Sequence, residues 1–352
     1  MPDKKRILIV RTDRLGDVVL STPVIENVRA AYPNAYIAFM CRPYTKEVLY
    51  GNPYLDDIVV YDKHGKYKTL LATLDFALWL RSQKYDIAII LHPTNRVHLI
   101  TFVAGIKTRV GWNRKLGFLL TKRVKHLKNL GLKHEVDYSE ELLTELGIKT
   151  VSRTLYFPVL DKAVERISRI FNARHVSEHD TLLVINPFAS CPSKCWPIDN
   201  FIKVIELLRQ DLTFKVIIVG DKDPNKITDR FKDIPDVIDM VGMLSISELG
   251  ALLKRANVFI SNDSGPVHIA SALDTPVISI FGRNDPGLSP KRWGPLGENS
   301  VYLHRDVGCV KCSAHECTKG YLCLKAVSPD KVASTALEIL YSPKRRIREV
   351  RE

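Results

Sequence analysis

The sequence predicts an α/β protein of two domains, each a doubly wound parallel sheet. Short apolar strand patterns alternate with helical periodicities along the chain, as in a parallel sheet with helices on both faces. The alternation breaks near residues 154–161 and then restarts. At 352 residues, the chain is long enough for two cores of ordinary size. The division expected is 1–160 for the first domain, 161–342 for the second and 343–352 for a basic tail.

Lys5 to Thr12 (KRILIVRT) is a buried opening strand. It runs into a polar loop, Arg11-Thr12-Asp13-Arg14-Leu15-Gly16-Asp17, and then a helical pattern from Val18 to Tyr32. The loop lacks G-x-G-x-x-G, which argues against a nicotinamide enzyme. Asp17 at a helix start suits the helix dipole as well as it suits a catalytic role. Strands follow at Tyr36–Met40, Ile58–Tyr61, Asp86–Leu91 and Arg109–Gly111, with helices over Tyr67–Gln83 and His134–Leu146. In the second half, strands are expected at Thr181–Ile185, Lys215–Val219 and Val237–Met240. Helices are expected over Lys162–Arg174, Pro197–Arg209, Asn225–Lys232, Ser245–Arg255 and Pro329–Leu340.

The most informative stretch is Asn257 to Gly282, which reads as strand, polar turn, short helix and strand. Asp263 or Ser264 can cap the helix, Gly265 admits close backbone approach, and Pro266 suits the first turn. A helix N-terminus at the carboxyl end of a parallel strand is an anion site. A capped βα turn without a ligand accounts for the same pattern, with His268 a packed histidine. A second polar loop, INPFASCPSKCWPIDNF, places Ser190 and Lys194 where they can face a phosphate, although a lysine in such a loop is commonly just solvated.

The net charge of +13 favours an anionic partner. Nine Lys/Arg and no Asp/Glu lie between Gly105 and His134. No nucleic-acid motif accompanies them, so nucleic acid is not expected as a partner. No apolar run reaches the roughly 18–20 residues of a membrane span. The run before Arg11 and Asp13 is too short for a secretion signal, so a cytoplasmic protein that can still touch a membrane surface is expected. Cys309, Cys312, Cys317 and Cys323 form C-x2-C-x4-C-x5-C, with His304 and His315 close. This is a candidate structural zinc site, with an Fe–S cluster less favoured and plain buried or disulfide-linked cysteines the bland alternative.

Asp263-Ser264-Gly265-Pro266-Val267-His268, Lys194-Cys195-Trp196-Pro197, the Arg11-to-Asp17 loop, Val241-Gly242-Met243-Leu244-Ser245 and the cysteine-rich end occur in this order. Together they resemble glycosyltransferase family 9, the ADP-heptose:lipopolysaccharide heptosyltransferases, from Ile7 to about Val332. The resemblance implies a GT-B fold, two Rossmann-like domains facing a central cleft, with acceptor on the first and nucleotide-sugar on the second. It implies inversion at the anomeric carbon, no cofactor or catalytic metal, and ADP-heptose as donor. The implied acceptor is a lipopolysaccharide core or lipid A precursor met at the inner face of the cytoplasmic membrane. Asp17 matches the general base, in a loop shared with Arg11, Asp13, Arg14 and Gly16. Lys194 matches the phosphate-binding lysine with Ser190 beside it. Asp263, Ser264 and Gly265 match the phosphate turn, with the sugar near Asp263 and His268. Met243 aligns beside adenine and Asp223 with an acidic ribose ligand, Asp221 being its rival. Other readings are a family member using another nucleotide-sugar, a UDP-sugar 2-epimerase, or a non-catalytic anion-binding protein on this scaffold.

Overall fold

A computed structural model describes residues 4–309 and 312–341; the expected basic tail, 343–352, lies outside them. The chain divides into two compact units, one up to Pro158 and one from Val159. The first carries β1 (Arg6–Val10), α1 (Leu15–Val19), α2 (Thr22–Ala31), β2 (Tyr36–Cys41), β3 (Asp57–Val60) and α3 (Leu70–Ser82). It continues with β4 (Ile87–Ile90), α4 (Asn95–Val103), β5 (Thr108–Asn113), β6 (Lys122–Lys125) and α5 (Glu135–Thr144). The strands form one six-stranded sheet in the order β3-β2-β1-β4-β5-β6, every pairing parallel.

The second unit carries α6 (Asp161–Ala173), β7 (Leu182–Asn186), α7 (Ile198–Leu208), β8 (Lys215–Ile218), β9 (Val237–Asp239) and α8 (Ile246–Arg255). Then come β10 (Val258–Asn262), α9 (Gly265–Ala272), β11 (Val277–Phe281), α10 (Pro290–Trp293), β12 (Ser300–His304), α11 (Leu322–Lys325) and α12 (Pro329–Tyr341). Its sheet, β12-β11-β10-β7-β8-β9, is again wholly parallel. Central strands β7, β10 and β11 are buried along their whole length, as a sheet covered on both faces requires. In each sheet the strand order reverses beside the first strand, between β1 and β4 and between β7 and β10. Ligands of open α/β sheets bind at the carboxyl ends of the strands at that switch point. The loops after β1, β7 and β10 are therefore the ones to inspect.

Four sequence expectations need correction. The Val18–Tyr32 helix is two helices. Pro23 has no N–H to give the Val19 carbonyl, which instead accepts from Thr22 Oγ1 at 2.7 Å, and Ser21 Oγ donates to the Asp17 carbonyl at 2.7 Å. The Asn225–Lys232 helix is only a 3-10 turn over Ile227–Phe231. Strands β6 and β12 were not expected. Both are edge strands, and β6, reading KRVK, carries the charge that keeps an edge from pairing further. Helix α4 was also unforeseen, because apolar residues occupy nearly all of its faces and leave no amphipathic stripe.

Candidate functional site

In the first unit the loop after β1 turns inward around Arg11. Its guanidinium is buried and donates Nε to Asp13 Oδ1 at 2.8 Å, Nη2 to Asp17 Oδ1 at 2.5 Å and Nη1 to Glu135 Oε1 at 3.0 Å. Glu135 opens α5, where a carboxylate complements the helix dipole. It also accepts from Lys128 Nζ at 2.6 Å, and Lys128 lies over the Trp112 ring. Three carboxylates thus share two cations. Burial, then the Asp13 charge, outweighs the pull of Arg11 and raises Asp17 to about 6, with Glu135 adding to the rise. His92, after β4, stands 3.5 Å from Asp13 Oδ2. Burial and the positive Arg11 push it down to about 3, so it is neutral and forms no ion pair at pH 7. Gly16 is buried, and its carbonyl accepts from Leu20 N as α1 ends. Arg14 is the exposed N-cap residue of α1.

A carboxylate held near pH 6 is ionised at neutral pH, yet basic enough to take a proton from a bound hydroxyl. Arg11 fixes its orientation. Asp13 and Asp17 lie in one cluster, both held by Arg11.

In the second unit the loop after β7 is stitched to the end of β10. Asn262 accepts from Trp196 N at 2.9 Å through Oδ1 and donates Nδ2 to the Pro187 carbonyl at 2.7 Å. The Trp196 ring packs edge-on against Phe201, and its Nε1 donates to the Val327 carbonyl at 3.0 Å. This anchoring sets Lys194, whose Nζ lies 2.8 Å from Asp263 Oδ2 and 3.2 Å from the Asp263 carbonyl oxygen. Arg283, which the sequence reading did not single out, donates Nη2 to the same Asp263 Oδ2 at 2.8 Å.

Ser264 is the N-cap residue of α9, but its side chain makes no cap bond. Its hydroxyl pairs with Ser261 Oγ at 2.9 Å and accepts from Asn186 Nδ2 at 3.0 Å. The Asp263 carboxylate is likewise turned toward its cations. Both side chains expected to cap the helix are therefore drawn elsewhere. Pro266 has no N–H and Val267 N donates to the Ser264 carbonyl at 3.2 Å, so the capacity for an anion at the start of α9 rests on the Gly265 N–H, with Lys194 adjacent.

The remaining expected residues fall less centrally. Ser190 is exposed, His268 is buried one turn into α9, and Met243 is 46% exposed before α8. The Asp223 carboxylate accepts from Ile227 N at 2.7 Å and Thr228 N at 2.8 Å; burial is the largest single influence and raises it, but these bonds, with others from Thr228 and Asn225, together outweigh burial and hold it below the usual carboxylate range. It closes its own loop, a role the sequence reading did not assign to it. Cys309, Cys312, Cys317 and Cys323 all line a cavity of about 320 Å³, and all are free thiols. Cys317 Sγ accepts from Tyr321 N, and His304 directs Nδ1 at the Phe281 carbonyl. Among the described residues no three His, Cys, Asp or Glu side chains stand together as a metal would need. The candidate zinc site thus has no support in the donor geometry of the described residues.

The model of glycosyltransferase family 9 (heptosyltransferase) matches residues 74–322. Lipopolysaccharide heptosyltransferase 3 of Escherichia coli K12 is 29% identical over 294 residues, 81% of this chain and 84% of that protein. The crystal structure of a family 9 glycosyl transferase from Veillonella parvula superposes with a TM-score of 0.85 at 24% identity, covering 97% of this chain and 99% of that one. The Escherichia coli ADP-heptose lipopolysaccharide heptosyltransferase II gives 0.78 at 20% identity, covering 97% and 100%. The two structures share the fold. With the family model spanning more than half its length, the chain belongs to glycosyltransferase family 9.

Proposed function

We propose that this enzyme transfers heptose from ADP-heptose to a sugar of the lipopolysaccharide inner core, in one displacement that inverts the anomeric carbon. The observation that carries the donor reading is the Lys194–Asp263 pair beside the uncapped start of α9. The heptose and the acceptor follow from the relatives, whose names specify lipopolysaccharide heptosyltransferases. The second unit takes the nucleotide-sugar, with the diphosphate at Ser264–Gly265 and Lys194 and the sugar toward Asp263 and His268. Met243 lies beside adenine, while Asp223 is left to ribose only in so far as its loop bonds permit. The first unit takes the acceptor.

In the reaction the acceptor hydroxyl attacks the anomeric carbon and its proton passes to Asp17. The bond to the diphosphate breaks, and the electron pair leaves with ADP. The Gly265 N–H and Lys194 meet charge that grows as this bond breaks, so they stabilise the transition state more than the ground state. No step requires a metal ion or a cofactor. Lys194→Ala should weaken ADP binding about ten- to hundred-fold, the worth of one charge-assisted hydrogen bond. Calorimetric titration with ADP reads this directly, and an unchanged Kd would overturn the donor site.

The acceptor is bilayer-held, and the enzyme meets it as a peripheral protein at the inner face of the cytoplasmic membrane. Among the described residues no helix is long and apolar enough to cross a membrane. The support for surface contact is the acid-free basic run 105–134 together with exposed apolar side chains on the neighbouring helices, Leu71, Leu78 and Trp79 of α3 and Phe102 of α4. Each basic residue at an anionic surface contributes up to about 1 kcal/mol. Flotation with phosphatidylglycerol vesicles should exceed that with phosphatidylcholine and fall as salt rises. Equal flotation with both lipids would sink the contact.

A further inference from the structure

We infer that Arg283 is a positioning residue of the donor site: it holds the Asp263 carboxylate so that Lys194 is free to move onto the incoming diphosphate. This rests on the donor reading above and adds to it a residue and a division of labour between two cations.

Three features of Arg283 are individually unfavourable. Its backbone is left-handed, with φ +61°, a region costly for a residue with a Cβ. Its side chain is only 6% exposed. Its Nε is buried with no hydrogen-bond partner among the described residues. The compensating contact is the bond from Nη2 to Asp263 Oδ2. A strained, buried charge kept for one contact points to a requirement at that contact. The preceding residue fixes its register against Lys194, because a Cβ on Gly282 would lie 2.9 Å from the Ser193 carbonyl oxygen. Only glycine allows the Lys194 turn to close on this strand end.

The two cations differ in what they can do. Lys194 is a point charge on a flexible stem, its side chain 15% exposed; Arg283 is a planar fork locked in the interior. Both donate to one oxygen of one carboxylate, so the cluster carries a net charge of about +1 at the start of α9. When a diphosphate arrives, Lys194 can follow it, while Arg283 stays and keeps Asp263 paired and oriented toward the sugar. Without Arg283 the carboxylate would retain Lys194 as its sole counter-ion. The cluster would then be neutral, and Lys194 would have to abandon a partnerless buried carboxylate to reach phosphate.

The test measures ADP affinity by calorimetry and turnover with ADP-heptose. Arg283→Gly removes the charge and suits the left-handed backbone; Arg283→Gln carries the same test if the glycine variant fails to fold. Either should weaken ADP binding about ten-fold. Adding Asp263→Asn to that variant returns the cluster to +1 through Lys194, so ADP affinity should recover to within roughly threefold of wild type. Turnover should stay low, because the carboxylate is gone. A merely structural arginine would give no such rescue. Unchanged ADP affinity in both single variants, or no recovery in the double variant, overturns the assignment. If Lys194→Ala itself leaves ADP affinity unchanged, the donor reading fails first; if Lys194→Ala weakens binding and loss of Arg283 does not, only the role of Arg283 fails.

Discussion

Asp17→Asn is expected to lower kcat by about 10²–10⁴-fold, the usual contribution of a positioned general base. Asparagine keeps the side-chain shape beside Arg11 but cannot accept the proton, so ADP affinity in the second unit should not change. For the wild type, kcat should fall as pH drops through about 6, where Asp17 protonates. The Asp13 charge is the second largest cause of that raised value. Asp13→Asn should therefore retain most of kcat and move the acid limb below 6. The same buried charge should make Asp17→Asn more stable than wild type at neutral pH, by up to about 3 kcal/mol for a shift of roughly two pH units. An Asp with a raised folded value contributes most below its unfolded pKa and loses that contribution as pH rises through 6. The gain in the variant should accordingly appear at pH 7–8 and vanish near pH 4. Retention of more than a tenth of wild-type kcat, or an inactive Asp13→Asn, would overturn the assignment of the base.

Arg11→Met is expected to be the most destabilising single change in the first unit. It leaves Asp13, Asp17 and Glu135 with Lys128 as their remaining buried cation. Removing one partner of a buried ion pair typically costs about 3–5 kcal/mol, a large share of the roughly 5–15 kcal/mol that holds a domain folded. Without the guanidinium, which lowers it, Asp17 protonates at higher pH, so the loss should be smaller at pH 5 than at pH 8. The exposed pair Lys203–Glu206 serves as control, with both side chains more than half exposed, and breaking it should cost under about 1 kcal/mol. Denaturant midpoints at the two pH values measure both. A loss no greater than the control's would mean that the cluster tolerates its own repulsion.

Short polar loops after apolar strand runs made Asp17, Lys194 and Asp263 candidates in the sequence, and the resemblance to family 9, not local pattern, gave them roles. Their partners were not. Arg11 and Glu135 are 124 residues apart, and no periodicity links them; Glu135 reads as an ordinary acidic helix start. Lys128 was hidden in a basic run that composition assigns to the surface, yet it is buried against Trp112. Arg283 left no signal, since a left-handed arginine after Gly282 violates the preference that turn chemistry would use to read the position. Asp223 shows the converse: the sequence singled it out, but its carboxylate serves two backbone amides within its own loop. Most helix-periodic stretches survived translation into structure; Asn225–Lys232, reduced to a 3-10 turn, did not, and elsewhere one proline or a charged edge strand outweighed periodicity.

The strand orders have a consequence for how the polypeptide is made. Every pairing in the first sheet lies between Arg6 and Lys125, and every pairing in the second between Leu182 and His304. No strand is lent from one half to the other. On a ribosome adding about 5–20 residues per second, the first sheet has all its partners while the second is still being translated. Its apolar strands need not wait exposed for a late segment, so the interval in which a nascent chain is vulnerable to aggregation is set by each half separately rather than by the full length.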